Sequence, residues 1–182
     1  TAYTLGILVQ ANFPGSAQIL GVPVGRLLRG DNRSASSSSC DERGSIMIVV
    51  ATDAPLSDRN LTRLARRTFA GVARTGASFA NGSGDYAIAF STAESVRRTP
   101  QRRAGEASLL ELPNERMTSL FEAAIEASEE AVYNALCRAT TMTGRNGTTV
   151  EALPLNRAIA LLNEHSVQQW AASGDASQDT RS

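Results

Sequence analysis

A chain of 182 residues with 42% hydrophobic content is long enough to bury one sizeable core. Its 18 basic and 18 acidic residues give a formal net charge of zero, which removes the electrostatic case for nucleic acid as a main partner. Lysine is absent, so lysine Schiff-base and lysine general-base chemistry are excluded.

Taken in chain order, Tyr3 to Ala11 reads as a strand, broken by Asn12-Phe-Pro-Gly. Gln18 to Leu28 is a second apolar stretch, either an edge strand or a short excursion. From Gly30 to Gly44 the composition collapses into Asn, Arg, Ser and charge, with too little apolar area to offset the entropy of ordering. Ile46 to Ala51, IMIVVA, is apolar on both faces, the pattern of a central strand covered on each side. Ser57 stands where a helix N-cap is expected, and Leu61, Leu64, Ala65, Thr68, Phe69 and Val72 form one apolar helical face. Asn81-Gly-Ser-Gly predicts a turn into a strand over Asp85 to Phe90, and a charged loop follows. A long helix is predicted from Asn114-Glu115 to about Arg138. A short strand follows over Thr148 to Leu153, then a last helix from Pro154 to about Glu164 and a disordered tail. Strands apolar on both faces, alternating with striped helices, predict a layered α/β sandwich.

Few side chains are available for the commonest site chemistries. His165 is the only histidine and falls near the end of the last helix, which suits a surface position better than a triad or metal site. Cys40 and Cys137 lack metal-ligand spacing and read as free thiols. No metal and no cofactor are expected. No apolar run approaches the ~18 residues of a membrane span, and no basic segment precedes an apolar core, so neither a membrane anchor nor a signal peptide is expected. The opening TAYTLGILVQA starts inside a strand-like run, as expected of part of a longer polypeptide.

The chemistry concentrates at Gly44-Ser45, the seam between the polar stretch and the apolar strand. Two readings fit it. One is a plain turn before a strand. In the other, the Ser45 hydroxyl attacks the Gly44 carbonyl, an N-to-O shift gives an ester, and water opens it. The freed α-amine, with a reference pKa of about 7.7–8.0, then serves as base beside the hydroxyl. Asn-Gly-Ser-Gly-Asp at 81–85 is not a phosphate loop, because a strand rather than a helix follows it.

The stretch GSIMIVVATDAPLSDRNLTRLARRTFAGVARTGASFANGSGDYAIAF, with LVQANF before it and RATTMTGRNGTTVEALPL after it, resembles the DmpA-type L-aminopeptidase/D-esterase family, which includes the β-aminopeptidases. The resemblance runs from about Tyr3 to about Leu162. It implies a four-layer αββα sandwich that is similar to N-terminal-nucleophile hydrolases but differs in strand connectivity. It also implies a precursor cut between Gly44 and Ser45. Residues 1–44 would then be the end of the α chain, 45–165 the β chain, and 166–182 a disordered tail.

Residue by residue, the resemblance makes Ser45 the nucleophile and Asn12 the oxyanion donor. Ser83 and Asp85 become the serine and acidic residue near the nucleophile, with Asp85 orienting Ser83 or holding the Ser45 ammonium. Some relatives carry glutamate where Asp85 stands, and Pro14 replaces the usual glycine after Asn-Phe. Asp53 lies in the matching stretch but reads as a structural cap. The implied substrates are small peptides, amides or esters, with L-, D- or β-residues undecided. The remainder of the α chain and further copies of the unit are the implied partners. A cytoplasmic location is preferred, with the periplasm as the alternative. Two competing functions remain: acyl transfer of the ornithine acetyltransferase type, against which serine in place of threonine argues, and a truncated, non-catalytic fragment.

Overall fold

The computed structural model describes residues 2–13, 16–30, 44–106 and 108–175, the last ten of these as backbone only. Cys40, the serine run and the rest of the expected processing loop lie outside the described residues, as does Pro14.

Strand β1 (Leu5–Asn12), strand β2 (Ser45–Thr52) and strand β3 (Tyr86–Ser91) form a three-stranded sheet in that order. β1 runs antiparallel to β2, in a register from Leu5 opposite Thr52 to Asn12 opposite Ser45. β2 and β3 are parallel, from Met47 beside Tyr86 to Thr52 beside Ser91. A parallel pair needs a crossover, and a 17-residue helix, Asp58–Arg74, supplies it.

Between β1 and β2 the stretch Gln18–Leu28 is not an edge strand. It makes one isolated bridge, Ile19 with Val22, and then helix α1 (Val24–Arg29), so the crossover helix is α2. Pro23 ends any pairing there, because it has no N–H to give a ladder. The charged loop holds a one-turn helix, α3 (Pro100–Arg103), whose Thr99 side chain accepts the Arg102 N–H.

The long helix α4 (Thr118–Arg138) begins slightly later than the sequence pattern suggests, after a 3-10 turn at Asn114–Arg116. Two-residue strands β4 (Met142–Thr143) and β5 (Thr149–Val150) form a small ribbon. Helix α5 (Leu155–Asp175) runs well past Glu164, so residues 166–175 are helical rather than a disordered tail. Gln168, Gln169, Ala171 and Ala172 favour a helix, and no glycine interrupts them before Gly174. Residues 176–182 lie outside the described residues.

The core fills one side of the sheet. Ile46, Ile48 and Val50 of β2 pack with Leu64 and Val72 of α2 and with Leu120, Ala124 and Val132 of α4. Burying each of these larger side chains stabilises the fold by about 1.5–3 kcal/mol. The two helices approach closely at Gly71, where a Cβ would run into the Ile125 carbonyl and the Ser128 hydroxyl. Ser128 Oγ, fully buried there, lies 3.0 Å from the Thr68 carbonyl and 2.9 Å from its own Ile125 carbonyl. Ser57 occupies the N-cap position of α2 with extended backbone, yet its hydroxyl makes no cap bond. A smaller cluster of Val22, Val24 and Ala158 ties α1 to α5.

Among the described residues the other face of the sheet is open. Met47, Leu8, Tyr86, Ile88 and Phe90 are between 38% and 70% exposed. Helix layer and sheet are thus two of the four expected layers. Among the described residues β2 is covered on one side only.

Candidate active site

All four candidate residues lie at one end of the sheet, Ser45 and Asn12 on its open face and Ser83 and Asp85 on the core face beside Ile46. Asn12 is the last residue of β1 and Ser45 the first of β2, and the two are register partners. Partners directly opposite on antiparallel strands project to the same face. Ile46 points into the core, so Ser45 and Asn12 belong to the open face.

Ser83, Gly84 and Asp85 come alongside on the far side of Ser45. The turn closes with the Ser83 N–H on the Ala80 carbonyl at 2.8 Å, and Ser83 pairs in parallel with Gly44. The Gly84 N–H donates to the Gly44 carbonyl at 3.0 Å. Asp85 Oδ1 accepts two bonds, from Ser83 Oγ at 2.8 Å and from the Ile46 N–H at 3.2 Å. One short segment thus holds the backbone on either side of Ser45, at the Gly44 carbonyl and at the Ile46 N–H. Asp85 makes its contact with the backbone immediately after the serine and with Ser83, so the shorter aspartate still reaches.

This end of the sheet is rigid on its core side. Phe13, Val72, Phe79, Ser83 and Asp85 line a crevice with no room for a water molecule. Phe79 holds a left-handed backbone with φ of 47°, which a bulky residue adopts only at a cost of about 1–3 kcal/mol. Its ring packs edge-on against Phe69 with centroids 6.0 Å apart. That contact secures the strained entry into the 80–83 turn.

On the helix side of Asn12 lies a hollow of about 400 Å³, bordered by Phe13, Thr75, Tyr133 and Leu136. Burial raises the Tyr133 phenol above its ordinary pKa. Its hydroxyl donates to Glu129 at 2.9 Å and accepts the Leu20 N–H at 3.2 Å, while Arg74 pairs with Glu129 at 3.2 Å. The network ties the segment after Asn12 to α2 and α4.

Asp53 accepts the Thr4 N–H at 2.7 Å at the opposite end of β2, in keeping with a structural cap. His165 Nδ1 lies 3.1 Å from the Leu161 carbonyl of its own helix. Cys137 is a free thiol. Among the described residues, no helix is long and apolar enough to cross a membrane. The Gly84 and Ile46 amides were not legible as site groups, because a backbone donor leaves no side-chain signature. The glycine of Asn-Gly-Ser-Gly signalled only a turn.

A serine at the head of a central strand, with an asparagine across from it and a helix layer beneath, defines the class of N-terminal-nucleophile-like α/β folds. Comparison with known proteins gives the family: the model of peptidase family S58 matches residues 1–150, and the chain belongs to that family. It is 40% identical over 177 residues to the beta-peptidyl aminopeptidase BapA of Sphingosinicella microcystinivorans, covering 90% of this chain but 44% of that protein. A crystal structure of a Pyrococcus horikoshii protein superposes with a TM-score of 0.76 at 39% identity, over 90% of this chain and 43% of that one. The L-aminopeptidase D-Ala-esterase/amidase of Ochrobactrum anthropi, described as a variant of the Ntn hydrolase fold, superposes with a TM-score of 0.69 at 31% identity. There the match covers 89% of this chain and 48% of that one. The chain thus spans less than half the length of these relatives, and its fold is theirs over the shared part.

Proposed function

We propose that this chain carries the self-cleavage site and nucleophile of a serine aminopeptidase acting on small peptides, amides or esters. One observation carries the reading: Ser45 heads the central strand with Asn12 opposite it and residues 83–85 holding the backbone on either side of it, at the Gly44 carbonyl and the Ile46 N–H. Family membership and the aminopeptidases among its relatives support the same reaction class.

In this reading a cut between Gly44 and Ser45 frees the Ser45 amine. The neutral amine takes the hydroxyl proton as Oγ adds to the substrate carbonyl, then returns it to the leaving amine. The Asn12 amide donates to the developing oxyanion. Asp85 positions the chain start through the Ile46 N–H and orients Ser83. The remainder of the polypeptide supplies the layers that close the open face of the sheet and the walls of the substrate pocket.

The test is mass spectrometry of the complete translated polypeptide, together with an assay on alanine p-nitroanilide. Two fragments, one starting at Ser45, and hydrolysis of the anilide are expected. Ser45→Ala should leave the polypeptide whole and inactive. A wild-type polypeptide that stays uncut yet hydrolyses the substrate would overturn the reading.

A further inference from the structure

The geometry points to the backbone N–H of Gly84 as the oxyanion donor of the self-cleavage step. This rests on the reading above, in which Ser45 severs the peptide bond before it. In the intact chain the Gly44 carbonyl oxygen, the atom on which negative charge must develop, accepts the Gly84 N–H at 3.0 Å.

The step balances as follows. Ser45 Oγ adds to the Gly44 carbonyl carbon, and the π pair moves onto the Gly44 oxygen. The bond from that carbon to the Ser45 nitrogen then breaks, the carbonyl re-forms as an ester on Ser45 Oγ, and the hydroxyl proton ends on the departing nitrogen. Water opens the ester, leaving a Gly44 carboxylate and a free Ser45 hydroxyl. As the Gly44 oxygen becomes an alkoxide, the Gly84 bond changes from neutral to charge-assisted, and such bonds are roughly twice as strong. The contact therefore strengthens in the transition state, which is the condition for accelerating a reaction. A donor already in place needs no reorganisation at that moment.

The surrounding segment holds this donor in position. The 80–83 turn, the Ser83–Gly44 bridge and the Asp85 contact to the Ile46 N–H fix residues 83–85 against 44–46. Gly84 itself has no φ in the left-handed region, and a Cβ there would meet nothing closer than 3.8 Å. What matters at this position is the N–H, not the missing side chain. The division of labour with Asn12 follows: Asn12 serves substrate turnover, whereas Gly84 serves the cut, after which the Gly44 acceptor has left with the upstream fragment.

The alternative is that this bond is only the first rung of the β2–β3 ladder. A rung contributes to stability; an oxyanion donor contributes to rate at equal folded fraction. The experiment replaces Gly84 by glycolic acid in the complete polypeptide, which turns one amide into an ester and removes that N–H alone. Appearance of the fragment starting at Ser45 should slow by about 100-fold or more, with a cooperative melt retained. Gly84→Ala, which keeps the N–H, should cleave at least about ten-fold faster than the ester, most of the ester's deficit being the lost donor. Equal rates for the ester and wild type overturn the inference, whereas a wild type that never cuts overturns the self-cleavage reading instead. Should the ester fail to fold, hydrogen exchange in uncut Ser45→Ala polypeptide tests the contact on which the inference rests, and a freely exchanging Gly84 amide overturns it.

Discussion

The two faces of strand β2 do different work with the same kind of residue. Ile46, Ile48, Val50 and Thr52 face the helices and are at most 3% exposed, while Met47 on the other face is 38% exposed beside Leu8, Tyr86 and Ile88. The inner face is complete within this chain: α2 and α4 fill it, and Gly71 and Ser128 let the helices close over it. Among the described residues the outer face has no cover, and it ends in the Ser45–Asn12 pair. An anchored strand whose first residue emerges on the uncovered side can hold a nucleophile rigidly and still present it to substrate.

That contrast can be tested by substitutions on either face. Ser45→Ala should have the largest effect, abolishing the cut and lowering anilide hydrolysis by about a million-fold, the order seen when a serine nucleophile is removed. Asn12→Ala should lower kcat by about 100- to 1,000-fold, measured on protein already cut, with melting temperature little changed. On the inner face, Leu64→Ala should destabilise the fold by about 3 kcal/mol in denaturant titration and leave kcat of the folded fraction unchanged. A reversal of those two results would mean that the faces have been assigned the wrong roles. Ile88→Thr on the outer face sharpens the comparison most. In the 182-residue chain it should shift stability by no more than about 0.5 kcal/mol, and in the complete polypeptide by about 2 kcal/mol once the face is covered. Equal small shifts in both would show that the face stays open.

The proposed base adds a test of a different kind. A chain-start amine must be neutral to accept the hydroxyl proton, so kcat/KM should rise with pH through about 7.7–8.0, the ordinary range of that group. A profile flat across that range would point to another base.

Much of this architecture was legible in the order of residues. IMIVVA marked the central strand, and the spacing from Leu61 to Val72 marked the helix that crosses over it, because burial on a regular backbone imposes its period on the side chains. The change of character at Gly44-Ser45 singled out the serine, and the family resemblance singled out Asn12, Ser83 and Asp85. Local signals left Gln18–Leu28 open between an edge strand and a short excursion, and proline with a six-residue helix makes it the excursion. They misjudged the end of α5, since polar helix formers look much like a tail.

Tertiary structure alone decided which atoms meet. That Asn12 lies opposite Ser45 is a matter of antiparallel register across an intervening stretch of more than thirty residues. That Gly84 touches Gly44, and Asp85 touches Ile46, follows from a parallel pairing made possible by α2. Side-chain periodicity records which face is buried. It carries no record of where a backbone N–H points, because every residue but proline has one, and only the pairing of strands aims it.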